Sequence, residues 1–249
     1  MDAFELGCAM LSAATYIEGR NPRNLISVLP GATKVALPGL TDGHFFDPAT
    51  GFEASLYQYQ GKYIIAYAGT NLKDGHDLAA DAMLAGGVME AQLKQATDFY
   101  QAVKAQYGSD VTFTGHSLGG GLAALMGVFF DKPAVTFDPA PFRLAATLSN
   151  AQALQSYLTT ATATRPAYEA DPDLAGYATT EQSLHTAQPD LAATLTALAT
   201  GTTTIAVLGA FISPALAAFL LTRQYPTAMR GESKIKAIAL SGEFLTDGY

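Results

Sequence analysis

Cysteine and charged residues are scarce in this sequence of 249 residues. The single cysteine, Cys8, excludes an internal disulfide, and its place in an apolar helical pattern predicts a small buried side chain. Charged residues make up 14% of the chain, below the usual value of about 25%. Lys and Arg number 14 against 22 Asp and Glu, which leaves a net charge of −8. Because binding to nucleic-acid phosphates needs clustered basic residues, the composition argues against a nucleic-acid partner.

The N-terminus lacks the features of a secretion signal. Residues 1–5 are acidic in character, and no continuous apolar run follows them. We therefore expect no N-terminal signal peptide. Because export by another route would leave no trace at this end, the sequence leaves the localisation open.

Hydrophobic periodicity predicts alternating helices and strands over the first 140 residues and one more strand near the C-terminus. The predicted helices span residues 4–16, 91–105 and 120–130. The predicted strands span residues 52–59, 62–67, 111–114, 133–137 and 235–240. Because strand–helix–strand order implies parallel pairing, we expect an α/β fold with a mostly parallel sheet flanked by helices. The length suits one domain of residues 1–249.

A Gly-x-Ser-x-Gly segment centred on Ser117 lies between a predicted strand and a predicted helix. This context is that of a nucleophile elbow, where Ser117 is held in a strained turn and its Oγ projects above the sheet. Gly115 and Gly119 carry no Cβ and so allow the strand and the helix to pass closely. The backbone N–H of Leu118 is expected to bind the developing oxyanion. His116 is predicted to support this region rather than to serve as the base.

Four segments carry a family resemblance: residues 9–16, residues 64–71 followed by Asp77 and Asp81, residues 115–120, and residues 135–140. In these segments the chain resembles the class-three lipases, a branch of the α/β-hydrolases. The resemblance implies a serine acyl-hydrolase acting on lipid esters, with Thr70 supplying the second oxyanion donor. Asp77 and Asp81 are interpreted as helix caps or supports rather than metal ligands. No metal and no cofactor is implied.

The catalytic acid and base are expected after Ser117, because the triad order in this fold is Ser, then Asp or Glu, then His. Glu243 is the first candidate for the acid, with Asp247 and Asp138 as alternatives. His185 is the candidate for the base within the chain, although it precedes the last predicted strand. No histidine follows Glu243. A chain that is incomplete at its C-terminus, with the base beyond residue 249, and an inactive relative are the other two interpretations.

Residues 145–225 lack a strand pattern and are predicted to form a helical cap or lid inserted before the last strand. Within them, residues 191–222 contain no charged side chain. We interpret this segment as a buried helical hairpin, as a lid that contacts lipid, or as a membrane-spanning helix. In the lid interpretation, the apolar wall for an acyl chain is formed by Phe211, Ile212, Leu216 and Phe219.

Together these features predict a lipase-like serine hydrolase that cleaves carboxylic esters of lipids through an acyl-enzyme. The expected partner is a lipid or another acyl ester. The lid and membrane-spanning interpretations add a contact with a membrane or lipid interface through residues 191–222. One alternative is a phospholipase effector domain. The other is a catalytically inactive hydrolase fold that binds lipid or protein.

Overall fold

A mixed seven-stranded sheet lies at the centre of the described structure. The computed structural model describes residues 1–18, 23, 25–69, 86–140, 142, 145–163, 165–187, 206–207, 210–211 and 231–239. The strands are β1 (Ala32–Lys34), β2 (His44–Asp47), β3 (Phe52–Tyr59), β4 (Lys62–Tyr67), β5 (Val111–His116), β6 (Ala134–Phe137), β7 (Ala206–Val207), β8 (Ala210–Phe211) and β9 (Ile235–Ile238). The helices are α1 (Ala3–Ala14), α2 (Gly86–Tyr107), α3 (Leu118–Phe129), α4 (Leu148–Thr159) and α5 (Pro172–Ala187).

The parallel part of the sheet consists of β4, β5, β6 and β9. Strands β1, β2 and β3 extend it with antiparallel pairings, and the hairpin of β3 and β4 has the bounds predicted from the sequence. The four parallel strands end at one edge of the sheet, which we call the carboxyl edge. This mixed sheet flanked by helices confirms the predicted α/β fold.

Helices cover both faces of the sheet because its strands are apolar on both sides. In β4, Ile64 and Ala66 belong to the cluster that packs with α1. Ile65 and Tyr67 face the opposite way and join the larger core with α2 and α3. The side chains of β4 therefore alternate between the two layers, as the pleat of a strand requires.

Helix α1 is attached to the sheet at its start and packs on the sheet with its buried face. Asp2 and Glu5 form a capping box at its start, and Glu5 also pairs with Lys236 of β9. Cys8 is fully buried against the sheet, as predicted, and burial raises the pKa of its thiol to about 12. The thiol is therefore protonated at neutral pH and acts as a packing group.

Helices α4 and α5 pack beside α2 and α3, on the face of the sheet away from α1. Tyr177 of α5 packs edge-on against Phe129, at the last turn of α3. Asp171 accepts hydrogen bonds from the N–H groups of Asp173 and Leu174 at the start of α5, and pairs with Lys104 of α2 at 2.7 Å. The first half of the predicted insertion thus forms part of the core.

The insertion predicted to be helical, residues 145–225, also contains the two short strands β7 and β8. These strands form a two-stranded antiparallel pair in which Ala206 pairs with Phe211 and Val207 with Ala210. The segment of residues 206–211 contains the β-branched Val207 and, between the two strands, Gly209. Both residue types disfavour a continuous helix, and valine favours a strand. Among the described residues, no helix is both long enough and apolar enough to span a membrane.

Candidate active site

Ser117 is the single residue between β5 and α3, and its backbone is strained. Its φ of 54° and ψ of −126° fall in a region that residues with a Cβ rarely adopt. The turn holds it there with three backbone hydrogen bonds. Ser117 N–H donates to Phe137 O at 3.1 Å, and Ser117 O accepts from Gly121 at 3.0 Å and from Ala140 at 2.9 Å. The strain is therefore maintained by the surrounding fold.

The two glycines of the segment are required by close backbone packing, as the sequence predicts. A Cβ on Gly115 would lie 2.3 Å from Gly119 O, and one on Gly119 would lie 2.2 Å from Tyr67 O. Neither position has room for a side chain. The start of α3 is consequently pressed against both β5 and the end of β4.

The Ser117 side chain takes no part in holding α3. It makes no capping hydrogen bond to the helix, and the residue is only partly buried. Leu118 is the first residue of α3, and the first N–H groups of a helix have no intrahelical acceptor. A partly exposed serine therefore lies next to the positive end of a helix dipole, an arrangement suited to an anion.

The end of β4 passes close to Leu118 N. A Cβ on Gly69 would lie 3.5 Å from Leu118 N and 3.1 Å from His116 O. Thr70 follows directly in the sequence and lies outside the described residues, as do Asp77 and Asp81. Gly69, which directly precedes Thr70 in the sequence, therefore lies beside the β5–α3 turn.

Tyr16 connects these two segments, and the sequence reasoning did not assign it a role. Its hydroxyl accepts from Gly69 N–H at 2.8 Å and donates to His116 O at 3.1 Å, with His116 Nδ1 at 3.3 Å. The His116 side chain is exposed and contacts Tyr16 edge-on. The supporting role of His116 stays a prediction.

A buried polar group anchors the chain on the C-terminal side of Tyr16. Glu53 Oε1 accepts from the N–H groups of Ile17 at 2.7 Å and Glu18 at 2.9 Å.

His44 lies beside the buried carboxylate of Glu53. His44 Nε2 lies 3.5 Å from Glu53 Oε1, and His44 Nδ1 lies 2.9 Å from Ser55 Oγ. Burial and the nearby positive charge of Lys34 lower the pKa of His44. Glu53 is the one charged residue of β3, and this was the available sequence signal.

Asp138 follows β6 at the carboxyl edge, one strand away from Ser117. It is 5% exposed, has a φ of 41°, and its N–H donates to Ile238 O at 2.9 Å. Glu243 and Asp247 lie outside the described residues. His185 belongs to α5, but its side chain is also outside them.

The residues predicted to contact an acyl chain lie beyond the described side chains. Phe211 is part of β8, but only its backbone is described. Ile212, Leu216 and Phe219 lie outside the described residues. The lid and the acyl wall therefore stay predictions.

A family model and a curated relative both match the chain. The family model, whose description is "Phospholipase-like: Tle-like phospholipase domain", matches residues 7–233. An extracellular phospholipase A1 from Serratia liquefaciens is 36% identical over 102 residues, which cover 41% of this chain and 31% of that protein. The match therefore spans about a third of the relative's length.

Two fungal lipase structures match part of the chain. The lipase from Rhizopus microsporus var. chinensis has a TM-score of 0.41 and 16% identity, covering 55% of this chain and 56% of its own. Lipase II from Rhizopus niveus has a TM-score of 0.38 and 15% identity, covering 62% of this chain and 67% of its own.

Proposed function

The chain belongs to the Tle-like phospholipase domain family, and from this premise we propose that it hydrolyses carboxylic esters of phospholipids with Ser117 as the nucleophile. The observation that carries the proposal is the strained Ser117 between β5 and α3. Strain of this kind costs about 1–3 kcal/mol and is found mainly at functional sites. The proposal is supported further by the Ser117 side chain, which makes no helix-capping hydrogen bond, as the serine of a nucleophile elbow requires.

The proposed reaction proceeds through an acyl-enzyme. Ser117 Oγ attacks the acyl carbonyl carbon while a histidine base accepts its proton. The carbonyl oxygen becomes an oxyanion bound by the N–H groups of Leu118 and Thr70. As the C–O bond breaks, the histidine protonates the departing lysophospholipid. Water then attacks the acyl-enzyme by the same steps and releases a fatty acid, regenerating Ser117.

Glu243 is our proposed acid, which orients and stabilises the protonated histidine. Its support is that β9 pairs in parallel with β6, so the chain leaves β9 at the carboxyl edge where Ser117 lies. Asp138 and Asp247 are the competing acids. His185 is the candidate base within this chain.

Analysis of the reaction products tests the proposed function. The protein is incubated with phosphatidylcholine vesicles, and the products are identified by mass spectrometry. Cleavage of a carboxylic ester yields one fatty acid and one lysophospholipid for each water consumed. Release of phosphocholine or choline instead would mean attack at phosphorus and would refute the proposed chemistry. Loss of both products on pretreatment with a fluorophosphonate that labels Ser117 would support it.

We also propose that the charge-free segment of residues 191–222 supplies the apolar wall for the acyl chain. Burying each methylene group is worth about 0.8 kcal/mol, so an ester with a long chain gains from an apolar wall and a short one gains little. Leu216→Asp and Phe219→Asp should therefore raise KM for a long-chain ester about tenfold and leave KM for a butyrate ester nearly unchanged.

Leu25→Asp is the matched control for these substitutions, because Leu25 is an exposed leucine outside this segment. It should change neither KM. Equal effects of Leu216→Asp and Phe219→Asp on both esters, or no effect on either, would contradict a role in binding the acyl chain.

A further inference from the structure

We infer that Tyr16 is a positioning residue that holds the two oxyanion-binding segments at the correct separation, an inference that rests on the proposed function. One segment directly follows β4 and leads from Gly69 into Thr70; we call it the β4 end. The other is the β5–α3 turn, which carries Ser117 and the N–H of Leu118. The phenol of Tyr16 joins them, although it comes from a third element, the end of α1.

The bonding capacity of the Tyr16 hydroxyl matches its surroundings. A phenol can donate one hydrogen bond and accept two. It accepts from Gly69 N–H at 2.8 Å and donates to His116 O at 3.1 Å. His116 Nδ1, at 3.3 Å, can use the second acceptor position when it carries the ring proton. The hydroxyl thus contacts the β4 end once and the β5–α3 turn twice.

These contacts determine which backbone groups are available to an oxyanion. The N–H of Gly69 is directed to Tyr16 and is therefore used within the fold, which is consistent with the proposal that the donor to the substrate comes from Thr70, the next residue in the sequence. A Cβ on Gly69 would lie 3.5 Å from Leu118 N, so the two segments approach closely at this point. Oxyanion donors act at about 2.7–3.1 Å, and displacement by about 1 Å costs a large part of the rate.

Tyr16 is itself held on both sides by β3. On its N-terminal side, Thr15 Oγ1 lies 3.2 Å from the hydroxyl of Tyr57. On its C-terminal side, Glu53 Oε1 binds the N–H groups of Ile17 and Glu18. Thr15 and Glu53 are both buried. The phenol is therefore fixed by a strand that contributes no proposed catalytic residue.

Tyr16→Phe tests this inference, because it keeps the ring and removes only the hydroxyl. We expect kcat for ester hydrolysis to fall about tenfold or more, with KM changed by less than about twofold, since the interaction lost matters chiefly in the transition state. The rate of fluorophosphonate labelling of Ser117 should fall in parallel, because phosphonylation places charge on an oxygen in the same site.

Tyr107→Phe is the matched control. The Tyr107 hydroxyl donates to Ala36 O at 2.6 Å, and its ring stacks on Tyr63 near the opposite end of β4 from the carboxyl edge. Both variants lose a tyrosine hydroxyl that donates to a backbone carbonyl, and Tyr16→Phe also loses the bond from Gly69 N–H. The midpoint of thermal unfolding of Tyr16→Phe should therefore lie only slightly below that of Tyr107→Phe. Only Tyr16→Phe should lower kcat.

Two outcomes would overturn the inference. Wild-type kcat in Tyr16→Phe would show that the hydroxyl positions nothing that the reaction needs. A fall in kcat accompanied by a much larger loss of thermal stability than in Tyr107→Phe would assign Tyr16 a purely structural role. Failure of the proposed function is distinguished by Ser117→Ala, which would then retain activity whatever the result at Tyr16.

Discussion

Ser117→Ala is expected to lower kcat/KM for lipid ester hydrolysis by about 10⁴-fold or more. The substitution removes the only oxygen that can form the proposed acyl-enzyme, and loss of a triad nucleophile has effects of this size in serine hydrolases. The measurement is the rate of fatty-acid release from a phospholipid and from a p-nitrophenyl ester. Activity close to that of the wild type would refute Ser117 as the nucleophile.

Folding should be unaffected by Ser117→Ala, so the loss can be assigned to chemistry. The Ser117 side chain makes no capping bond to α3, and the turn is held by its backbone groups. Alanine also carries a Cβ and so leaves the strain of the turn unchanged. Ser149→Ala, at an exposed serine near the start of α4, is the control. It should retain wild-type activity and a similar thermal midpoint.

Glu243→Gln is expected to reduce kcat by about 10³-fold to 10⁴-fold with a much smaller change in KM. The amide keeps the shape of the side chain but cannot stabilise a protonated histidine, and loss of the acid in a comparable triad has an effect of this order. Steady-state kinetics on a soluble ester measures kcat and KM separately. If Glu243→Gln retains most of the wild-type kcat, another carboxylate is the acid.

Asp138→Asn and Asp247→Asn are the matched comparisons for this test. Asparagine tolerates the positive φ of Asp138, so the backbone at the end of β6 should be preserved. Both variants should keep most of the wild-type kcat if Glu243 is the acid. A larger loss in Asp138→Asn, with an unchanged thermal midpoint, would transfer the role to the residue one strand from Ser117.

The local parts of the fold were predictable because they depend on contacts between residues close in sequence. The alternating pattern of β3 and β4 predicted their hairpin with the observed bounds. The apolar periodicity of α1 predicted a helix within two residues of its observed ends, and the pattern around Ser117 predicted a turn from strand to helix. Glycine spacing also predicted the close passage at Gly115 and Gly119.

The charge-free segment shows where this reasoning is weakest. An apolar run of moderate length is compatible with a buried helix or a strand, and periodicity alone does not separate them. The strand pair of β7 and β8 lies where helix was predicted. Strands of two residues are stabilised by the hydrogen bonds between them, and the spacing of apolar residues along the sequence does not indicate such pairing.

The sequence by itself determined the fold class, the family resemblance and the position of Ser117, since each follows from residue types at fixed short spacings. Only the tertiary structure revealed the contacts of Tyr16, which bonds to Gly69 across 53 positions and to His116 across 100. The anchor formed by Glu53 also joins elements distant in the chain. Such contacts leave no periodic pattern in the sequence. A hydrogen bond between distant elements requires particular residues only at its two ends and places no requirement on the residues between them.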